Sequence, residues 1–326
     1  MEEAIVLDVR DLMVEFVTEE GVVRAVEQVD FQLKKGRVLG IAGESGCGKS
    51  VTALSIMRLL PKPVSRIAHG RVIFQGQDIL KLPVKKMHNI RGRKIAMIFQ
   101  EPMTALNPVH EIGKQMSEIY RLHFSGLSVG KMTAASVNML EKVGIPDPAK
   151  VMKKYPHQLS GGMRQRVMIA MSLSCEPDIL IADEPTTALD VTVQAQILDL
   201  IQAFQKKTGM SLILITHDLG VIAENCDDVV IMYAGRIAEK ARVRDLFKHP
   251  AHPYTKGLLT SIPSLAKIPK TILPTIRGSV PSLLNLPNGC RFANRCPRVE
   301  EICRKTFPLE RKIAPEHTVA CHLAGV

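Results

Sequence analysis

Apolar and polar positions alternate between residues 4 and 42: Ile5, Leu7 and Val9 share one side of an extended chain, and Val29, Phe31 and Leu33 one side of another. That period of two predicts strands. Turn chemistry at Glu19-Glu20-Gly21 and Lys35-Gly36 separates them. An apolar run, Val38 to Ala42, leads into a glycine-rich stretch, and an amphipathic segment from Val51 to Leu60 follows. RVIFQGQDI (71–79) reads as a hairpin around Gly76, and KIAMIFQ (94–100) as another strand. From about Pro102 to Cys175 the period becomes helical, with one face marked by Ile112, Met116, Ile119 and Tyr120 and another by Ala134, Val137, Leu140 and Val143. A helical subdomain is therefore inserted here. Strands and helices then alternate: ILIAD (179–183), a helix over about 191–207, SLILIT (211–216), a helix near 219–224 and VVIMYA (229–234). Nearly continuous apolar strands alternating with helices predict an α/β fold with a parallel, doubly covered sheet.

The stretch that joins the first such strand to its helix is GESGCGKS, comprising Gly43, Glu44, Ser45, Gly46, Cys47, Gly48, Lys49 and Ser50, with Val51 opening the helix. A strand, a glycine-rich turn and a helix N-terminus let backbone N–H groups curl around phosphate oxygens. Lys49 then reaches the β and γ phosphates, and the Ser50 hydroxyl ligates Mg²⁺. Taken alone, the stretch also suits a turn that merely closes a strand onto a helix. A helix N-terminus and a nearby lysine are expected to lower the Cys47 pKa and make it reactive enough for alkylation to block the phosphate site. In ILIADEP, four apolar residues lead to Asp183 and Glu184, as at a buried strand whose carboxyl end faces a ligand crevice. Asp183 would hold Mg²⁺ through its water shell, and Glu184 would act as general base on the attacking water. LSGGMRQR (159–166) puts Ser160, Gly161 and Gly162 at the start of another helix, a second anion-binding end that one nucleotide does not need from one subunit.

These motifs together, with ALD (188–190) and ITHD (215–218) in this order and spacing, resemble the ATPase subunits of ABC transporters over about residues 4–247. The resemblance implies a P-loop ABC ATPase with a RecA-like parallel-sheet core, an antiparallel β subdomain and the inserted helical subdomain (about 102–175). It implies that Gln100 senses Mg²⁺ and the attacking water, that His217 contacts the γ-phosphate and that Phe16 stacks on adenine. It also implies that two subunits meet head to tail, so that Ser160, Gly161, Gly162 and Gln165 of one close the ATP held by the other, with Asp190 facing the partner.

The bulk numbers narrow the class. With 46% hydrophobic residues the chain can bury a sizeable core, while 4% aromatics and no Trp argue against a stacking surface for single-stranded nucleic acid. The start, MEEAIVLDVRDL, is acidic and does not read as a signal peptide, and no apolar run approaches a membrane span. Net charge is +11, and residues 248–326 carry 12 Lys+Arg against 4 Asp+Glu. Ten of the 20 prolines and four of the 7 cysteines also fall in the last 77 residues, which suggests a loop-rich C-terminal module over 248–326, beyond an ATPase domain over 1–247. The segment FKHPAHPYT (247–255), with NGCRFANRCP (288–297), resembles the dipeptide/oligopeptide branch of these ATPases, which includes nickel and murein-peptide importers.

Cys290, Cys296, Cys303 and Cys321 follow C-x5-C-x6-C-x17-C, a donor set for Zn²⁺ or an iron–sulfur cluster that lacks the short knuckle usual for structural zinc. The resembled branch carries a [4Fe–4S] cluster here, which is the expectation, with zinc as the alternative. Arg291, Arg295, Arg298 and Arg304 are expected to offset the charge of the thiolates.

The chain is thus expected to hydrolyse MgATP and drive peptide import from the cytoplasmic face of the plasma membrane. Its expected partners are a second, non-identical ATPase subunit, two transmembrane permease subunits and a peptide-binding protein, docked through the groove between the helical subdomain and the Gln100 loop. Nickel or another small solute is the alternative cargo. A non-transport ATPase acting on DNA or ribosomes is a different class, supported only by the positive charge. The interval from Ser50 to Leu159 lacks sustained heptads and the chain has a single P-loop, so no nucleic acid is expected.

Overall fold

The computed structural model describes residues 4–101, 105–187, 189–262 and 274–324. Its strands are β1 (Ile5–Thr18), β2 (Gly21–Lys34), β3 (Val38–Ala42), β4 (Ser65–Phe74), β5 (Gln77–Asp78), β6 (Ile95–Ile98), β7 (Ile179–Asp183), β8 (Ser211–Thr216), β9 (Asp228–Tyr233), β10 (Arg236–Arg242), β11 (Arg311–Ala314) and β12 (His317–Val319). The longer helices are α1 (Lys49–Ile56), α2 (Ile112–His123), α3 (Val129–Lys142), α4 (Gly161–Leu173), α5 (Val191–Thr208), α6 (Leu219–Asn225) and α7 (Pro253–Thr260). Contacts divide the chain into two compact units, Met1–Lys81 with Leu214–Val326, and Leu82–Ile213.

In the first unit β1, β2, β4 and β5 form an antiparallel sheet in the order β2-β1-β4-β5. Alternation alone would turn Leu12 and Val14 away from the face that Leu7 and Val9 occupy. A bulge around Asp11, which takes a left-handed φ of 46° and donates its N–H to Asp30 Oδ1 at 2.9 Å, shifts the register. All four apolar side chains are then buried. β4 begins at Ser65, six residues before the expected hairpin strand.

The same unit carries the strand order β11-β12-β10-β9-β3, in which β3 and β9 are parallel and the other neighbours antiparallel. Every residue of β3 is buried. A Cβ on Gly40 would lie 2.5 Å from Ile222 Cδ1, so α6 packs on β3 only because that position is bare. Residues after 247 are built into this unit. β12 pairs with β10 through Glu239↔Val319 and Lys240↔Thr318, and Tyr254, Leu259 and Phe292 share a core with Tyr233 and Leu246.

In the second unit β6 and β7 pair in parallel and are wholly buried, as their apolar sequences require up to Asp183 at the end of β7. Ser211 N–H at the start of β8 donates to the Asp178 carbonyl at 3.0 Å. α2 buries Ile112, Met116 and Tyr120, the expected face. α3 follows its expected face in part: Leu140 and the C-cap Val143 are buried and Val137 half-buried, but Ala134 is exposed and Met132, Ser136 and Met139 are buried as well. Ser136 goes inside because its hydroxyl donates to the Met132 carbonyl at 2.8 Å, which satisfies the polar group within the helix.

Candidate functional site

The turn from Gly43 to Ser50 runs from β3 into α1. It cannot tolerate a side chain at its first position: φ of Gly43 is +152°, and a Cβ there would lie 2.2 Å from the Met232 carbonyl of β9. Gly48 is the N-cap of α1 at φ 104° and contributes no side-chain cap, so the first-turn N–H groups face the turn without a protein side chain from that residue. Lys49 is 5% exposed, and its Nζ donates to the carbonyls of Gly43 at 2.9 Å and Glu44 at 3.2 Å, which holds the ammonium over the loop. Ser45 and Gly46 are exposed and Ser50 and Val51 half-buried. A lysine and a row of backbone donors at a helix N-terminus suit a polyphosphate.

Cys47 departs from expectation. Its thiol is 1% exposed, tucked where a Cβ on Gly43 would meet the sulfur at 2.8 Å. Burial raises its pKa, and this outweighs the lowering by Lys49. Charge near a helix end activates a thiol only where water can solvate the thiolate, so Cys47 is a buried packing residue and the expected reactivity is withdrawn.

Two side chains distant in sequence hold the loop. Tyr254 Oη accepts the Glu44 N–H at 2.9 Å, and Arg295 grips the Glu44 carboxylate with both terminal nitrogens, at 2.6 and 2.9 Å. Both residues lie in the segments that resemble the peptide-transporter branch, 247–255 and 288–297, but nothing in those segments points to the loop. Phe16, on β1 opposite Val23 and Ser65, is half-buried, with part of its ring open to a ligand. His217 is exposed between β8 and α6, where Asp218 Oδ1 caps the helix by accepting the Gly220 N–H at 2.7 Å.

The candidate acids lie in the second unit. Asp183 ends β7 at 3% exposure. Glu184, the next residue, takes φ of 44°, a left-handed backbone that a non-glycine residue holds only at a cost of about 1–3 kcal/mol. Its Oε2 accepts from Gln100 Nε2 at 3.3 Å and Thr187 Oγ1 at 3.0 Å, so the glutamine and carboxylate that the sequence singles out are brought together. Gln165, 2% exposed on α4, donates to the Pro185 carbonyl at 2.5 Å and ties that helix to the acidic turn. Gln165 is therefore a buried brace in this unit. Ser160 caps α4 by accepting the Met163 N–H at 3.3 Å, with Gly161 exposed and Gly162 half-buried beside it. Asp190 caps α5 in the same way through Val193 N–H at 2.9 Å, and Val191 beyond it is 84% exposed. Ala188 of the ALD motif and residues 102–104 lie outside the described residues.

Cys290, Cys296, Cys303 and Cys321 are free thiols. They are electrostatic neighbours: Cys290 is pushed up to about 11, first by burial and then by the charges of Cys303, Cys321 and Cys296. Among the described residues, however, no group of three or more His, Cys, Asp or Glu is placed to hold a metal ion. The expected role of the surrounding arginines also needs correction. Arg291 pairs with Glu27 and the Ala234 carbonyl, and Arg295 with Glu44, so both charges are used elsewhere. Arg298 does act on the set, lowering the Cys296 pKa against the larger effect of burial.

Comparison with known proteins bears on these features together. Residues 26–187 match the ABC transporter family, and residues 238–303 match the oligopeptide/dipeptide transporter C-terminal region. A probable peptide ABC transporter ATP-binding protein of Sinorhizobium fredii is 52% identical over 317 residues, 97% of this chain and 94% of that protein. The dipeptide transport ATP-binding protein DppD of Bacillus subtilis is 52% identical over 318 residues, 98% of this chain and 94% of that one. The chain belongs to the ATP-binding proteins of peptide ABC transporters. A peptide ABC transporter ATPase with this fold also matches a solved ATP-binding cassette, MJ0796 in a dimeric post-hydrolysis state with ADP and phosphate. That match has a TM-score of 0.66 over 73% of this chain and 99% of the other, at 24% identity, and shows the shared α/β cassette fold. The solved chain is shorter, and Tyr254 and Arg295 come from the region that the peptide-transporter match reaches.

Proposed function

We propose that this chain hydrolyses MgATP to power import of di- and oligopeptides. The observation that carries this reading is the pairing of a lysine-capped phosphate turn, Gly43–Ser50, with near-full-length similarity to peptide-transport ATPases. In the proposed mechanism Lys49 and the N–H groups of the turn bind the β and γ phosphates, and Phe16 stacks on adenine. Mg²⁺, when bound, offsets charge on the phosphates and is held by Ser50, Gln100 and Asp183. Glu184 accepts a proton from the attacking water, oriented by Gln100, and His217 contacts the γ-phosphate. Positioning and charge stabilisation supply most of the catalysis.

The site is completed across a head-to-tail pair, with Ser160, Gly161 and Gly162 of the partner closing on the nucleotide and Asp190 at the junction. The partner is a non-identical ATPase. The pair works with two permease subunits and a peptide-binding protein on the cytoplasmic membrane face. No described helix is long and apolar enough to cross a membrane, so attachment falls to the permease. Val109, Leu122 and Val129, each more than 70% exposed, support docking through the helical part of the second unit. Functionally the chain divides into an ATPase domain over 1–247 and an extension over 248–326.

The four cysteines of that extension are proposed to hold a [4Fe–4S] cluster in a structural role. Their proximity supports this reading, since Cys303, Cys321 and Cys296 each act electrostatically on Cys290. A tetrahedral zinc, with Zn–S of about 2.3 Å, demands tighter convergence than a polynuclear cluster. Capture of the full-length chain from native membranes under anaerobic conditions, with metal and sulfide analysis, tests both claims. Permease subunits and about four iron and four sulfide per chain are expected. Stoichiometric zinc would overturn the cluster, and ribosomes or DNA in place of permease would overturn the transport reading.

A further inference from the structure

We propose that Arg295 and Tyr254 are positioning residues of the nucleotide site: from beyond the cassette they neutralise Glu44 and pin the first turn of the P-loop for MgATP. The inference rests on reading residues 43–50 as the triphosphate cradle.

Glu44 brings a carboxylate into a loop whose task is to bind an anion. Lys49 Nζ lies 3.2 Å from the carbonyl of that same residue. An unpaired carboxylate on a residue of this loop would oppose the binding of an anion there. Arg295 removes that opposition and does so rigidly. Its Nε donates to the Arg277 carbonyl at 3.0 Å. Nη1 donates to Glu44 Oε2 at 2.6 Å and Tyr233 Oη at 3.4 Å, and Nη2 to Glu44 Oε1 at 2.9 Å and the Ile276 carbonyl at 3.3 Å. These contacts match the five donors of a guanidinium, and the side chain is only 4% exposed. A fork fixed at each prong holds a carboxylate in one orientation, which a lysine cannot do.

Tyr254 fixes the backbone of the same residue. It is fully buried, with its ring centroid 4.6 Å from that of Tyr233 and 5.4 Å from that of Phe292. Burial pushes its ionisation well above the ordinary range, so the phenol stays neutral and its oxygen accepts the Glu44 N–H. The start of α7 is itself anchored. Glu239, 0% exposed on β10, accepts the N–H groups of Ala251 at 2.8 Å and His252 at 2.9 Å, and His252 Nδ1 accepts that of Tyr254 at 3.0 Å. The chain from β10 to the P-loop is thus a continuous set of buried and part-buried hydrogen bonds. The Arg295 end adjoins Cys296, so the cysteine-bearing segment shares its backbone with the residue that grips the loop.

The test is MgATP titration of the full-length chain by calorimetry. Arg295→Gln is expected to raise Kd about tenfold or more, and Arg295→Gln combined with Glu44→Gln to recover most of that loss, because no unpaired carboxylate remains. A residue that merely supports the fold would show no such recovery. Tyr254→Phe, which deletes one oxygen, is expected to raise Kd several-fold and supplies the readout should Arg295→Gln fold poorly. A parent chain that does not bind MgATP would sink the nucleotide reading itself. A parent that binds while Arg295→Gln and Tyr254→Phe bind equally well would sink only the positioning role, as would failure of the double variant to recover.

Discussion

Glu184→Gln is expected to lower ATP turnover about a thousandfold while MgATP binding and ATP-driven pairing of the subunits persist. The size follows from the range of general-base contributions, about 10²–10⁴-fold. The selectivity follows from geometry: one oxygen of Glu184 accepts from both Gln100 and Thr187, and the amide oxygen of a glutamine can take over both bonds. The left-handed backbone at φ 44° is unaffected by an isosteric side-chain change, so the acidic turn keeps its shape. What is lost is the ability to take a proton from water. Single-turnover phosphate release from the assembled complex measures this, and hydrolysis at the parent rate would remove Glu184 from the general-base role.

Gly43→Ala is expected to destabilise the fold by about 3 kcal/mol and to weaken MgATP binding at least a hundredfold. The added Cβ would meet a backbone oxygen of β9 at 2.2 Å and the Cys47 sulfur at 2.8 Å, at a φ of +152°. Met232, whose carbonyl is struck, lies wholly buried in its strand, so relief must come from moving the loop. Gly46→Ala provides the contrast: φ is +78°, but nothing lies within 4 Å of the new atom, so only a backbone cost of about 1 kcal/mol applies to stability. Thermal unfolding of the two variants separates the cases. Equal loss at both positions would mean that close approach to β9 does not constrain the loop.

What the sequence made legible was local. The apolar runs of β3, β7 and β8 coincide with their observed spans, because a strand buried on both faces carries polar residues, here Ser211, Thr216 and Asp183, only at its ends. The cap at Ser160 was readable too, since a capping side chain and the N–H it accepts lie three residues apart. Other features depend on separation. Glu44 meets Tyr254 across 210 positions and Arg295 across 251, and nothing in either neighbourhood announces the pairing. Charge near the Cys47 thiol is visible in the sequence and desolvation is not; burial against Gly43 reverses the sign of its pKa shift. Arg291 and Arg295 were counted toward the cysteines by proximity in sequence, whereas the fold spends them on Glu27 and Glu44. β1 shows the same limit on a smaller scale, where one bulged residue moves Leu12 and Val14 onto the buried face.

The central claim is that ATP held at Gly43–Ser50 drives peptides across a membrane. Uptake of a labelled dipeptide into vesicles reconstituted with this chain, its partner ATPase and the permease measures it most directly. The account expects accumulation only with MgATP on the face carrying this chain, abolished by Glu184→Gln. Uptake of nickel without peptide, or ATP hydrolysis with no uptake of either, would contradict it.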